Sequence, residues 1–182
     1  MRVARSLVRA LAVPFLVVPL VAQSAAVIPF GTGCGAPSQV LRMTTQGLPS
    51  LGGAVTLVYH GPNAYVVGHA TVDISHPHLL LGLSNTSGPG FALPLALLPV
   101  LTGGIAGCSL YVSSEWVLAM PRVVFGLVPF LDRQMLRVPN DPTLIGAHLH
   151  AQWAALRMQA AASGPVRNSV QTSDAVLLRV GI

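Results

Sequence analysis

Glycine or proline interrupts every long apolar run in this chain, and that punctuation restricts it to short segments joined by turns. Eighteen glycines and fifteen prolines occur in 182 residues, 52% of which are hydrophobic. Such apolar content ordinarily signals membrane helices. Yet the longest apolar run beyond the N-terminal segment, Phe91 to Ala106, contains Pro94, Pro99, Gly103 and Gly104. Its prolines remove backbone donors and disrupt a spanning helix. The expectation is therefore a chain with no transmembrane helix once its leader is removed.

The segments between these breaks read as strands. Val40 to Gln46 ends at Gly47-Leu48-Pro49. Ala54 to His60 places Val55, Leu57 and Tyr59 on one face, and His60-Gly61-Pro62-Asn63 supplies a turn. Strands over Tyr65 to Ile74 and His78 to Ser84 are expected on either side of a His76-Pro77 break, with Asn85 to Gly90 as a loop. Cys108 to Ser113, Trp116 to Met120, Arg122 to Leu127 and Gln134 to Val138 continue the pattern. Pro139-Asn140-Asp141-Pro142 is a strong turn. Leu144 to Leu156 suits a strand better than a helix because of Gly146, and Val170 to Val180 closes the chain. Regular short strands between Gly/Pro turns predict one all-β domain, an antiparallel β-sandwich of jelly-roll-like or Ig-like type.

The first 26 residues have a different character. Arg2, Arg5 and Arg9 precede an apolar run from Ala10 to Val21, and small residues follow at Ala22, Ser24, Ala25 and Ala26. That order reads as a secretory signal peptide cleaved between residues 22 and 26, leaving a β-sandwich domain over 27–182. The destination is the periplasm, the cell surface or the extracellular space. The formal charge of +5 includes the three leader arginines. Beyond them, seven arginines face five acids, or about +2. Lysine is absent and the arginines are scattered along the chain, so a nucleic-acid partner is not expected. In an exported chain, an even cysteine count favours a disulfide between Cys34 and Cys108; two separate buried thiols are the alternative.

Six histidines are the most conspicuous reactive groups. His76-Pro77-His78 and His148-Leu149-His150 are His-x-His pairs, and residues two apart on a strand face the same way. Each pair could chelate Zn or Cu, and two pairs on neighbouring strands would make a four-histidine site. His60 or His69 could complete or replace it. Against this, Pro77 disturbs the first pair. Catalysis has less support: Gly-x-Ser-x-Gly is absent and Gly107-Cys108-Ser109 lacks the second glycine. No catalytic residue is assigned. Trp116, Trp153, Tyr59, Tyr65 and Tyr111 could form a carbohydrate platform, although core packing explains them equally well. Asn85-Thr86-Ser87 matches the N-glycosylation acceptor, relevant only in a host that glycosylates there.

A further set of residues is spread along nearly the whole domain. Gly33-Cys34 is followed by Gly47-Leu48-Pro49, Leu51-Gly52, Leu80-Leu81-Gly82-Leu83-Ser84 and Leu93-Pro94-Leu95. Gly107-Cys108-Ser109-Leu110-Tyr111, Val138-Pro139-Asn140-Asp141-Pro142, Leu144, Gly146, Gln152, Thr172-Ser173-Asp174-Ala175 and Val180-Gly181 complete it. This spacing resembles a family of secreted, uncharacterised bacterial β-rich domains with a paired Gly-Cys signature. The resemblance implies a compact β-domain with Cys34 joined to Cys108, and it implies no reaction. The chain departs from that pattern at His148 and His150, where small or aromatic residues are usual. It also lacks a glycine hairpin between Glu115 and Arg137.

The leading expectation is an exported, non-enzymatic structural or binding module of the cell envelope or cell surface, without a cofactor. Loop residues Asn63, Asn85, Asn140 and Asn168 could contact a glycan or an envelope protein. The alternatives are a periplasmic metal-binding domain using His76, His78, His148 and His150, and a secreted hydrolase of unknown type.

Overall fold

The computed structural model describes residues 23–35, 40–61, 72–120, 123–124, 131–160 and 165–182. Its strands are β1 (Ala26–Phe30), β2 (Arg42–Gln46), β3 (Ala54–His60), β4 (Val72–Gly82), β5 (Ser87–Gly88), β6 (Phe91–Ala92) and β7 (Leu95–Ala96). A single helical turn, α1 (Pro99–Thr102), separates these from β8 (Ser109–Leu110), β9 (Trp116–Ala119), β10 (Val123–Val124) and β11 (Leu131–Arg137). A 3-10 turn at Pro142–Leu144 then leads to the two longest strands, β12 (His148–Ala160) and β13 (Arg167–Arg179). The chain is thus predominantly antiparallel β.

Two sheets enclose the core. The larger runs β1-β13-β12-β4, with β9 and β10 both pairing along the far side of β4. The smaller runs β11-β3-β2. Strand alternation sends Met43, Val55, Leu57 and Tyr59 of the small sheet against Leu79, Leu81, Ala151, Trp153, Ala155, Val176 and Leu178 of the large one. The Tyr59 and Trp153 rings meet edge-on with centroids 5.5 Å apart. At the same depth the Tyr59 hydroxyl lies 3.2 Å from that of Ser75, so the ring's polar end is satisfied inside the core. The sheets also join at one end, where Leu51 N–H donates to the Gly181 carbonyl and Ser50 forms a parallel bridge with Gly181.

The His76-Pro77 pair does not divide two strands, as the sequence suggested. β4 continues unbroken from Val72 to Gly82, and Pro77 pairs with Ala155 of β12. The register explains why proline fits there. The Pro77 carbonyl accepts from Met120 N–H, so its missing donor also faces the β9/β10 side of the strand. On that side it falls in the gap between the β9 ladder, which ends at His78, and the β10 ladder, which begins at Ser75. Residues 62–71, including Asn63, Tyr65 and His69, lie outside the described residues. Leu144 to Leu156 is in large part strand, as expected, although β12 begins at His148 after the 3-10 turn.

The large sheet has a second face, and Leu83 to Glu115 runs across part of it with little regular structure of its own. Gln152 anchors this cover. Its side chain is fully buried; its Oε1 accepts from Tyr111 N–H and its Nε2 donates to the carbonyls of Ser109 and Ser173, each at 2.9 Å. Cys34 lies beside β13, donating its N–H to the Thr172 carbonyl at 2.8 Å, and is disulfide-bonded to Cys108 in the cover. The bond closes a separation of 74 residues. In the chain-entropy model a loop of that length destabilises the unfolded state by about 4–5 kcal/mol. Replacing Gln152 by Leu keeps apolar bulk but strands one N–H and two carbonyls. Q152L is expected to lose about 2–4 kcal/mol in urea unfolding, with release of the Ser109–Tyr111 segment visible by hydrogen exchange.

Candidate binding surface

The ladder places the two histidine pairs on the same face of the large sheet but not together. His78 is opposite Ala154 and His76 opposite Leu156, whereas His150 is opposite Gly82. Four residue positions therefore separate His78 from the row of His150, roughly 13 Å at the usual strand rise. His148 lies further away still. His60 belongs to the small sheet. Among the described residues no group of three or more His, Cys, Asp or Glu is arranged to hold a metal ion. The four-histidine arrangement expected from spacing is therefore not the geometry formed, because β12 crosses β4 in a register that staggers the pairs.

His150 has a different setting. It is buried beneath the cover and makes an edge contact with Phe30 at 5.8 Å, while Phe30 makes another with Tyr111 at 6.3 Å. Burial pushes the imidazole below its ordinary range, and nearby His148 adds to this. A hydrogen bond with the Gly82 backbone and the Glu115 charge oppose it without prevailing. Its Nδ1 has no hydrogen-bond partner among the described residues. Nearby, Glu115 is a clamp. Its Oε2 accepts from the Ser113 hydroxyl at 2.8 Å and from Leu83 N–H at 3.0 Å. Burial pushes this carboxyl up, but these bonds, its own backbone and His150 hold it below the usual range. Among the described residues, the Ser113 hydroxyl is turned to this carboxylate and not to an imidazole.

The aromatic residues are divided among three places. Tyr59 and Trp153 are in the core, Tyr111 lies beside Phe30, and Trp116 is exposed on β9. The described members of the set do not form one platform, and Tyr65 lies outside the described residues. Asn85 lies in a tight turn where the Ser84 hydroxyl accepts from Thr86 and Ser87 N–H groups. Asn140 lines a cleft, and exposed Asn168 is on β13.

The outward face of the small sheet is where like groups converge. Cross-strand rows run Arg42–His60–Leu131, Thr44–Val58–Arg133 and Gln46–Thr56–Met135, followed by Ala54–Arg137. Strand alternation turns Arg42, Arg133 and Arg137 to this side, and all three are exposed. Leu131 and Met135 are about half exposed between them. No described carboxylate projects from this face; Asp132 points to the opposite side, where its Oδ1 accepts from Arg133 N–H. At one end Ala54, Met135, Arg137 and Asn140 line an open cleft of about 520 Å³. His60 contacts the Thr44 hydroxyl at 2.6 Å. The surface can therefore attract negative charge.

Arg42 is distant in sequence from Arg133 and Arg137, and only the sheet register gathers it with them. One signal was readable: Leu131, Arg133, Met135 and Arg137 alternate at strand spacing. The addition of Arg42 through β3 had no local signature.

Asp174 stands at the rim of this surface. It lies in a bulge of β13, where Gln152 pairs with Ala175 but Ala154 with Thr172. Its Oδ1 accepts from Met43 N–H at 2.8 Å, tying the edge of β2 to the other sheet. Burial raises its carboxyl above the ordinary range, against lowering by the Met43 and Asp174 backbone and by Arg42 and His60.

Compared with known proteins, the chain matches no family model, no curated protein and no solved structure. The resemblance carried by the Gly-Cys spacing thus rests on those residues alone.

Two pH effects of opposite sign follow. A carboxyl raised in the folded state favours folding when protonated and loses that contribution as pH rises through its folded pKa. D174N keeps the Met43 acceptor without the buried charge, so it is expected to melt above wild type at pH 7, with the gap shrinking towards pH 4. His150 is lowered, so its contribution is complete above about pH 6.5 and declines as pH falls through that value. H150Q is expected to flatten the loss of melting temperature between pH 7.5 and 5.

Proposed function

We propose that this chain is exported and serves as a non-enzymatic binding module of the cell envelope or cell surface, holding an anionic glycan on the outward face of its small sheet. The observation that carries the reading is that Arg42, Arg133 and Arg137 share one exposed face with no described carboxylate among them. The disulfide between Cys34 and Cys108 supports export, because such bonds persist in oxidising compartments. The charged and apolar order of the first 26 residues supports it independently. No helix among the described residues is long and apolar enough to cross a membrane.

The spacing of the arginines favours a polymer over a small anion. Arg133 and Arg137 are four residues apart on one strand, or about 13–14 Å, and Arg42 is about 12 Å from Arg133 across two strands. No two of these backbone positions are close enough to favour sharing a single carboxylate. An extended chain with recurring charges suits the row, and half-exposed Leu131 and Met135 offer apolar contact to sugar rings between the charges.

The test is retention of the exported protein on immobilised polyuronic acid, with neutral dextran as control. Wild type should bind the acidic polymer and release as salt rises, while R133E/R137E should bind at least tenfold more weakly. Both sites are exposed, so the variant should keep its fold. Equal binding to neutral dextran, an unchanged double variant, or stronger binding to DNA than to polyuronate would sink the proposal.

A further inference from the structure

We infer that the export leader is removed at the Ala22–Gln23 bond, so that the processed chain begins with Gln23; this rests on the export reading proposed above. Small residues alone do not select that bond. Ala22-Gln23-Ser24 and Ser24-Ala25-Ala26 are both small-x-small triplets and would direct cleavage after Ser24 or Ala26. The fold distinguishes among them, because residues 23–26 belong to the domain.

Gln23 accepts from Ile182 N–H through its carbonyl at 3.2 Å. Gly181 is packed so closely that a methyl group there would collide with the backbone of Gln23, Ser24 and Ala25. Gly146 lies against the Gln23 carboxamide, and its φ of +83° favours glycine there. Ala26 then opens the β1 ladder opposite Arg179, and Val27 follows opposite Leu178. Cleavage after Ser24 would free the Ile182 N–H. Cleavage after Ala26 would also remove Ala25 from Gly181 and place a charged amine on Val27, which packs against the core. Gly181 is thus fitted to the backbone of Gln23 and Ser24, which either rival cut would discard.

At the Ala22–Gln23 bond, hydrolysis retains all these contacts. Water adds across one peptide bond, leaving a carboxylate on Ala22 of the leader and an amine on Gln23. Ala22 supplies the small residue before the cut, with Leu20 two positions earlier.

The experiment is production of the full chain in a bacterial host with general secretion, followed by N-terminal sequencing of the exported protein. The expected first residue is Gln23. Ser24→Arg occupies the last position before one rival bond and the third before the other, so it blocks both. This variant should still be processed to wild-type extent, whereas Ala22→Arg should accumulate precursor. A first residue of Ser24, Ala25, Ala26 or Val27, or a processing block by Ser24→Arg, overturns the inference but leaves export standing. Full-length protein retained in the cytoplasm overturns the export reading and this inference with it.

Discussion

The carboxamide of Gln152 is fully buried and uses its acceptor and both donor hydrogens on backbone groups from separate parts of the chain. Much else in the architecture depends on that arrangement. The Leu83–Glu115 segment forms only two-residue strands and one helical turn, so it has few internal hydrogen bonds with which to hold its shape. It stays on the sheet because Gln152 fixes Ser109 and Tyr111, and because Cys34–Cys108 limits how far the segment can move. The same carboxamide reaches Ser173 at the β13 bulge. Ser173 accepts from Trp153 N–H at 3.0 Å and also donates to the Asp174 carbonyl. The cover, the bulge and the link between sheets therefore share one polar junction. In a buried setting each of these groups would be costly to leave unpaired.

Much of the β architecture was legible because local chemistry dictated it. The expected Ala54–His60 strand has the observed boundaries, and Val55, Leu57 and Tyr59 face inward as their alternation implied. Asp141 caps the turn predicted around Pro139–Pro142, accepting from the N–H and hydroxyl of Thr143, which hold its carboxyl below the usual range. The continuity of β4 through Pro77 was not legible, because it depends on a gap in the neighbouring ladder. Register was equally hidden. The pairing register, offset by four residues, decides that His150 faces Gly82 and not His78, and a single chain does not display that choice. The gathering of Arg42 with Arg133 was missed for the same reason.

Charge is scarce in this molecule, at 8% of residues, and its placement is uneven. Arg157 is buried at the large sheet, while Glu115 and Asp141 have their carboxylates taken up by nearby hydroxyl and backbone donors. Such carboxylates have limited capacity to neutralise a distant surface, especially across water containing salt. Three exposed guanidiniums on one small sheet therefore weigh more than the modest net charge suggests. Asp174 moderates that field only at the β2 edge, where it is held by Met43.

The bond between Gln23 and Ile182 brings the two ends of the described chain to one point on the surface. A short linker could join them, and the polypeptide could then be opened elsewhere, for example in the exposed Pro139–Asp141 turn, without reversing the direction of any strand. Circular permutation would thus exchange one hydrogen-bonded seam for a covalent one.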